Sequence, residues 1–294
     1  MRADELRRIL DARATDPASI AEAAAARRPG SLLGARDRAL VIAADHPARG
    51  SLRAGADPMA MADRADLLTR LVEALARPGV TGVLGTADIL EDLLLLGALD
   101  ERGVFGSMNR GGLAGASFEL DDRFTGYTVD AIRRFGFDGG KMLLRVDLAD
   151  DRTAPTLEAC AKAVGGLADA GLVAMVEPFL SSRAGGVLRN DLSVGAATTA
   201  LTIAAGLGHT SAYTWLKVPV IGDGGDDMAQ VLAATTLPTL LLGGEVSAEP
   251  DATYARWDKA LRHPTVRGLV VGRSLLYPPD GNVAHAVDTA AELL

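Results

Sequence analysis

Eight short aliphatic runs recur along the sequence, and each is followed by a stretch of helical character. The runs lie at Ala39–Ala43, Thr81–Leu84, Gly103–Ser107, Met142–Val146, Leu172–Val176, Thr214–Val218, Thr239–Leu242 and Gly268–Val271. Near-continuous apolar segments of this kind are the mark of parallel strands buried on both faces. The stretches Met61–Ala76, Pro155–Ala168, Ser193–Leu207 and Asp251–Leu261 are rich in Ala or Leu and read as helices. Eight strand–helix units predict an α/β fold, the (β/α)8 TIM barrel. An open, doubly wound sheet is the alternative, but no Gly-rich dinucleotide turn follows the first run. With 294 residues, 48% hydrophobic and only 4% aromatic, the chain suits one barrel with a core of Leu, Val, Ile and Ala.

Residues 1–30 read as an N-terminal extension of two helices, roughly Ala3–Ala12 and Pro17–Arg28, expected to pack across the bottom of the barrel. The barrel is expected over residues 36–294. No linker or change of composition interrupts it, so residues 1–294 are expected to form a single domain. The net charge of -8 argues against a nucleic-acid or anionic-membrane partner. The N-terminus alternates charged and apolar residues rather than presenting a signal-peptide core, and no run reaches membrane-spanning length. Cys160 is the sole cysteine, which excludes an intrachain disulfide and fits a reducing compartment. The cytoplasm is therefore the expected location. Cys160 lies in an apolar helical stretch and reads as a passive core residue rather than a nucleophile. Barrels often form homo-oligomers, although no interface signature marks this sequence.

Barrel chemistry sits at the C-terminal ends of the strands. Those positions here carry Asp45-His46, Lys141 with Arg145 and Asp147, Glu177, Lys217, Gly243-Gly244-Glu245 and Gly272-Arg273. The lysines are informative because basic positions are otherwise arginine. Only Lys141, Lys162, Lys217 and Lys259 occur, and Lys162 and Lys259 fall in helical stretches. Lys141 and Lys217 fall in aliphatic strands, where burying a charge is costly. Arginine stays protonated, whereas a desolvated lysine can become a free amine and attack a carbonyl. Lys217 is therefore the candidate imine-forming residue. Lys141, at the start of its strand, would lower the Lys217 pKa if it reaches that far. The competing reading is an ordinary strand-end lysine paired with a carboxylate.

Glu177 and Asp45 are candidates for moving the protons of such a reaction, with pKa values raised by an apolar barrel mouth. Glu177 could equally be a structural counter-ion. Gly243, Gly244, Gly272 and Arg273 close the last two strands, where barrels often bind phosphate through backbone N–H groups and a cationic fork. Glu245 beside them is a discordant charge. The four histidines, His46, His209, His263 and His285, show no ligand spacing, so neither a metal nor another cofactor is expected. His46 is a candidate polar contact to substrate. The segment GSMNRGGLAGASFELDDRFTGY, Gly106 to Tyr127, follows the third strand and reads either as an active-site lid or as an ordered surface loop.

Taken in order, these residues resemble the class I (Schiff-base) aldolase superfamily that includes tagatose-bisphosphate, deoxyribose-phosphate and archaeal-type fructose-bisphosphate aldolases. Lys141-Met-Leu-Leu-Arg-Val-Asp147, Val176-Glu177-Pro178-Phe179 and Trp215-Leu-Lys217-Val-Pro219 look like strands four to six of the tagatose-bisphosphate enzymes. Leu40-Val-Ile-Ala-Ala-Asp45-His46 looks like the first strand of the archaeal-type enzymes. The resemblance spans roughly residues 36–280. It implies Lys217 as the imine-forming residue among Glu177, Lys141 and Asp45, with phosphate at Arg273 and the strand-7 glycines. Asn109-Arg110-Gly-Gly departs from the tagatose pattern and resembles a bacterial subgroup linked to inositol catabolism. That implies a phosphorylated keto-deoxy-sugar acid, with Asn109 and Arg110 near substrate and Arg110 or Arg123 at its carboxylate. The expected partner is thus a small sugar phosphate. A cofactor-free sugar-phosphate isomerase using Glu177 as base, or a non-catalytic sugar-phosphate-binding barrel, would use the same features.

Overall fold

The computed structural model describes residues 1–34 and 37–294. Among the described residues nine strands form: β1 (Ala39–Ala43), β2 (Gly82–Gly85), β3 (Gly103–Ser107), β4 (Gly139–Val146), β5 (Val173–Ala184), β6 (Val187–Asn190), β7 (Thr214–Val218), β8 (Thr239–Leu242) and β9 (Val266–Val271). All but β6 run parallel in a ring ordered β1-β2-β3-β4-β5-β7-β8-β9, closed by pairing of β9 with β1. The fold is a (β/α)8 TIM barrel. The expected barrel start at Arg36 lies outside the described residues. Among the described residues no helix is long and apolar enough to cross a membrane.

Alternation along each strand splits the core in two. Ala39, Val41, Ala43, Leu84, Phe105, Met175, Leu240 and Val270 fill the barrel interior, while a larger cluster packs strands against the surrounding helices. Parity then fixes which polar residues can reach the mouth. On β4 the inward set is Gly139, Lys141, Leu143 and Arg145, and Glu177 continues the inward set of Met175. Ring closure depends on Gly268 (φ +137°), where any Cβ would run into the backbone of Ala39 on the neighbouring strand.

Three expectations need correction. Strand β4 begins at Gly139 rather than Met142, so Lys141 lies inside the strand, paired in register with Ser107 and Met175. The glycines that open the strand permit close packing: a Cβ at Gly139 would crowd Phe105, and one at Gly140 would crowd Ile132. Strand β5 continues past Val176 to Ala184 and turns back as antiparallel β6, a hairpin over the C-terminal mouth. The N-terminal helices, Ala3–Thr15 and Ala18–Ala26, lie on the barrel's flank, where Arg13 binds Glu91 and Asp92 of the helix Ala87–Leu95. The bottom is covered instead by the segment that follows them, whose Leu32 and Leu33 pack on the interior cluster.

Candidate active site

The barrel's C-terminal mouth opens into a cavity of about 760 Å³. At its floor lies a buried cluster built from three strands and two loops. Registers place Val176 opposite Leu216 and Leu143 opposite Glu177, so Glu177 and Lys217 stand at one level. Lys141 lies one inward layer lower and extends upward to meet them. Glu177 bridges the two lysines: its Oε2 is 2.5 Å from Lys141 Nζ and its Oε1 is 3.1 Å from Lys217 Nζ. Asp45, past the end of β1, accepts a second hydrogen bond from Lys141 Nζ at 3.1 Å and is ion-paired with Arg110. Arg110 Nε donates to Ser107 Oγ at 2.9 Å.

This cluster holds three basic side chains, Lys141, Lys217 and Arg110, against two carboxylates, Asp45 and Glu177. Burial drives both lysines below their ordinary pKa, with Glu177 opposing. Burial alone would raise the Glu177 pKa. The two ammonium groups overrule it and hold the carboxylate well below its usual range. The expectation of a raised, protonatable Glu177 is therefore corrected: it rests as an anion. Arg110 is lowered by burial to about 10 and keeps its charge at neutral pH. The surplus positive charge is most readily shed by a lysine: burial lowers Lys141 furthest, while Lys217 has one carboxylate partner against two for Lys141 and stands nearer the open cavity.

His46 lines the cavity beside Asp45. Burial, followed by the charges of Arg273 and Lys217, depresses its pKa to about 3, so the imidazole is neutral. Its Nδ1 finds no hydrogen-bond partner among the described residues. Gly243, Gly244, Gly272 and Arg273 line the opposite side. Packing already accounts for two of these glycines, since a Cβ would strike Val271 at Gly243 and the Ala43 carbonyl at Gly272. Gly244, at φ +70° with open space around it, is the one whose backbone is free to approach a ligand. Arg273 Nη1 donates to the Arg53 carbonyl at 3.3 Å, and its buried Nε has no partner among the described residues.

Two expected contacts are not in the cavity. The Asn109 amide is committed to β4: Oδ1 accepts from Leu143 N–H at 2.8 Å and Nδ2 donates to Leu143 O at 2.5 Å. It continues the β3–β4 pairing beyond Ser107 rather than facing substrate. Arg123 is exposed and paired with its neighbour Asp121. The segment Gly106–Tyr127 folds over the mouth and is held by arginines from four elements. Arg49 donates to Asn109 O at 2.9 Å and pairs with buried Asp122. Arg145 binds Glu119, while Arg152 and Arg183 both donate to Ser117 O. Sequence reading missed Arg49 and Asp122, which carry no motif. Ser107 was visible as the last residue of a predicted strand. Among the described residues no group of three or more His, Cys, Asp or Glu side chains is disposed to hold a metal.

Residues 37–291 match the model of a family described as Cgl0159-like. The chain belongs to that family. The crystal structure of Cgl0159 from Corynebacterium glutamicum is 52% identical, covers 100% of this chain and 97% of its own, and superposes with a TM-score of 0.96. The barrel is also similar to a Schiff base-forming fructose-1,6-bisphosphate aldolase (17% identity, 93% of this chain and 99% of that one, TM-score 0.67). It is also similar to a fructose-bisphosphate aldolase from Slackia heliotrinireducens (16% identity, 97% and 84%, TM-score 0.61). At such identities the likeness is one of fold, the (β/α)8 barrel. No curated protein matches the chain.

Proposed function

We propose that the protein is a class I aldolase, a carbon–carbon lyase that cleaves or forms a phosphorylated ketose or keto-deoxy-sugar acid through an imine on Lys217. The observation that carries this reading is the buried Lys217–Glu177–Lys141 arrangement: a desolvated amine beside a carboxylate that can take and return its proton. The Lys217 nitrogen adds to the substrate carbonyl carbon, and the oxygen, once protonated, leaves as water. Glu177, an anion 3.1 Å from Lys217 Nζ, accepts the proton released by the attacking nitrogen and returns it to the carbinolamine oxygen, and a second proton taken up from solvent completes the departing water and leaves the imine protonated. Asp45, held by Lys141 and Arg110, accepts the proton of the hydroxyl on the carbon that becomes the aldehyde. The bonding pair of the broken C–C bond moves onto the protonated imine nitrogen and gives an enamine. Protonation of the enamine carbon and addition of water release the second product and restore Lys217.

The phosphate is assigned to Gly244, Gly272 and Arg273, whose guanidinium is positioned on the cavity wall with an unpartnered Nε. His46, neutral and uncommitted at Nδ1, suits a substrate hydroxyl. Among phosphorylated acids, 5-dehydro-2-deoxyphosphogluconate is the leading candidate; the Asn109-Arg110-Gly-Gly resemblance carries it, and with it a place in inositol catabolism.

Nuclear magnetic resonance of the protein with a panel of phosphorylated ketoses and keto acids tests the class directly. Aldol cleavage yields two smaller carbonyl products. Appearance of a single isomer of unchanged mass would instead establish a sugar-phosphate isomerase, and binding with an unchanged spectrum a non-catalytic barrel.

A further inference from the structure

Arg145 is the inward-facing residue of β4 above the lysine cluster, and its side chain is only 8% exposed. Both of its terminal nitrogens are taken by one loop residue: Nη1 donates to Glu119 Oε1 at 2.6 Å and Nη2 to the Glu119 carbonyl at 2.8 Å. Its Nε is buried with no partner among the described residues. Glu119 comes from the long segment over the mouth, and its Oε2 accepts from Gly115 N–H at 3.0 Å, within that same segment. Unlike Glu177, which is part of β5, Glu119 is carried by a loop residue and reaches the barrel only through Arg145.

The order of strands supplies the second observation. In the ring β1-β2-β3-β4-β5-β7-β8-β9, β4 stands diametrically opposite β9, and β7 lies midway between them. A molecule reaching from Arg273 at the end of β9 to Arg145 on β4 therefore passes Lys217 on β7 half-way. The cavity has a cation at each pole and the amine between.

We propose that Arg145 is the specificity-determining residue for a carboxylate at the substrate end remote from the phosphate, and that Glu119 is a tethered stand-in which the substrate displaces. This rests on the aldolase reading and names its substrate class: a ketose chain phosphorylated near the carbonyl and ending in a carboxylate. A carboxylate replacing Glu119 on the same guanidinium exchanges one buried ion pair for another, so Arg145 is never left bare. A chain ending in an uncharged hydroxymethyl group would have to leave Glu119 in place or strand Arg145 without a partner, which disfavours it. Arg110 is already spent on Asp45 and Ser107 and is not the acid-binding residue.

The test measures dissociation constants by calorimetry, and borohydride adducts by mass, for 5-dehydro-2-deoxyphosphogluconate, fructose 1-phosphate and fructose 1,6-bisphosphate. These carry a carboxylate, a hydroxyl and a phosphate at the remote end. Arg145→Gln is expected to weaken the acid about tenfold or more while leaving fructose 1-phosphate within about twofold, as loss of one charged hydrogen-bonded pair implies. Glu119→Gln is expected to tighten the acid, which keeps the proposal testable if Arg145→Gln folds poorly. Equal weakening of the acid and the hydroxyl compound by Arg145→Gln, no change in Glu119→Gln, or preference for the bisphosphate over the acid would overturn it. Adducts on Lys217 alongside such a result would leave the aldolase reading standing. Discrimination by Arg145 without any adduct would retain the carboxylate site and defeat the aldolase reading.

Discussion

Lys217 and Glu177 are coupled, and substitution of either has a direction that follows from burial. A lysine with a depressed pKa binds fewer protons folded than unfolded. Stability therefore rises as pH climbs from the folded value toward 10.5, and the buried amine costs stability at neutral pH. Lys217→Met removes that cost and leaves Glu177 paired with Lys141. The variant is expected to be at least as resistant to urea as the parent at pH 7 while losing all imine formation. Glu177→Gln goes the other way. Its neutral amide leaves two amines facing each other and removes the proton acceptor beside Lys217; a fall of about 3 kcal/mol in stability and about 100-fold in turnover is expected. The pH profile separates the two variants further. The pKa of Glu177 is lowered on folding, so its contribution is fully present above the ordinary value of 4.5 and is lost as pH falls toward the folded one. Urea midpoints measured from pH 7 down to pH 3 should fall more steeply for the parent than for Glu177→Gln. At this scale the ionisable residues that cluster at the mouth were legible because such a group inside an aliphatic strand is costly and therefore informative. The state of Glu177 was not, since its pKa depends on how many cations surround it.

Elements with uniform patterning were read well and those with mixed patterning poorly. Strands β1, β3, β7 and β8 coincide with their aliphatic runs because both faces of each are buried. Strand β5 outruns its signal because Ser181, Ser182 and Arg183 belong to a hairpin beyond the barrel, paired to β6 and half in water. The segment Gly106–Tyr127 shows no period because side chain–backbone bonds shape it rather than a repeating face. Arg49 is its main anchor. Arg49→Ala leaves Asp122 buried without its partner and frees the Asn109 and Gly112 carbonyls. A loss of roughly 3 kcal/mol is expected, with limited proteolysis shifting to sites within residues 106–127 before the barrel is cut. Cleavage elsewhere first would show that the segment is not held in this way. At the seam of the ring, Gly268→Ala combines a positive φ with a backbone collision. It is expected to cost on the order of 3 kcal/mol, read as a lowered thermal midpoint.

Across the whole molecule, the ring brings together residues that are distant in sequence. Asp45, Lys141, Glu177, Lys217 and Arg273 come from five different strands or the turns that follow them, and only closure of β9 on β1 makes them neighbours of one cavity. The ordered run of eight units was enough to anticipate that convergence. The partners of Asn109, Arg110 and Arg145 were not, because all three depend on how one long loop lies over the mouth. The proposed imine chemistry carries a pH dependence set by the buried cluster. Imine formation requires an unprotonated Lys217, so its rate should rise with pH and level off at an inflection below 10.5, the ordinary lysine value. The most direct measurement is mass spectrometry after borohydride treatment in the presence of phosphorylated keto substrates, with the modified peptide mapped. A stable adduct on Lys217, absent in Lys217→Met, is the predicted result. An adduct on Lys141 would reverse the roles of the two lysines, and substrate bound with no adduct on either would contradict imine chemistry at this site.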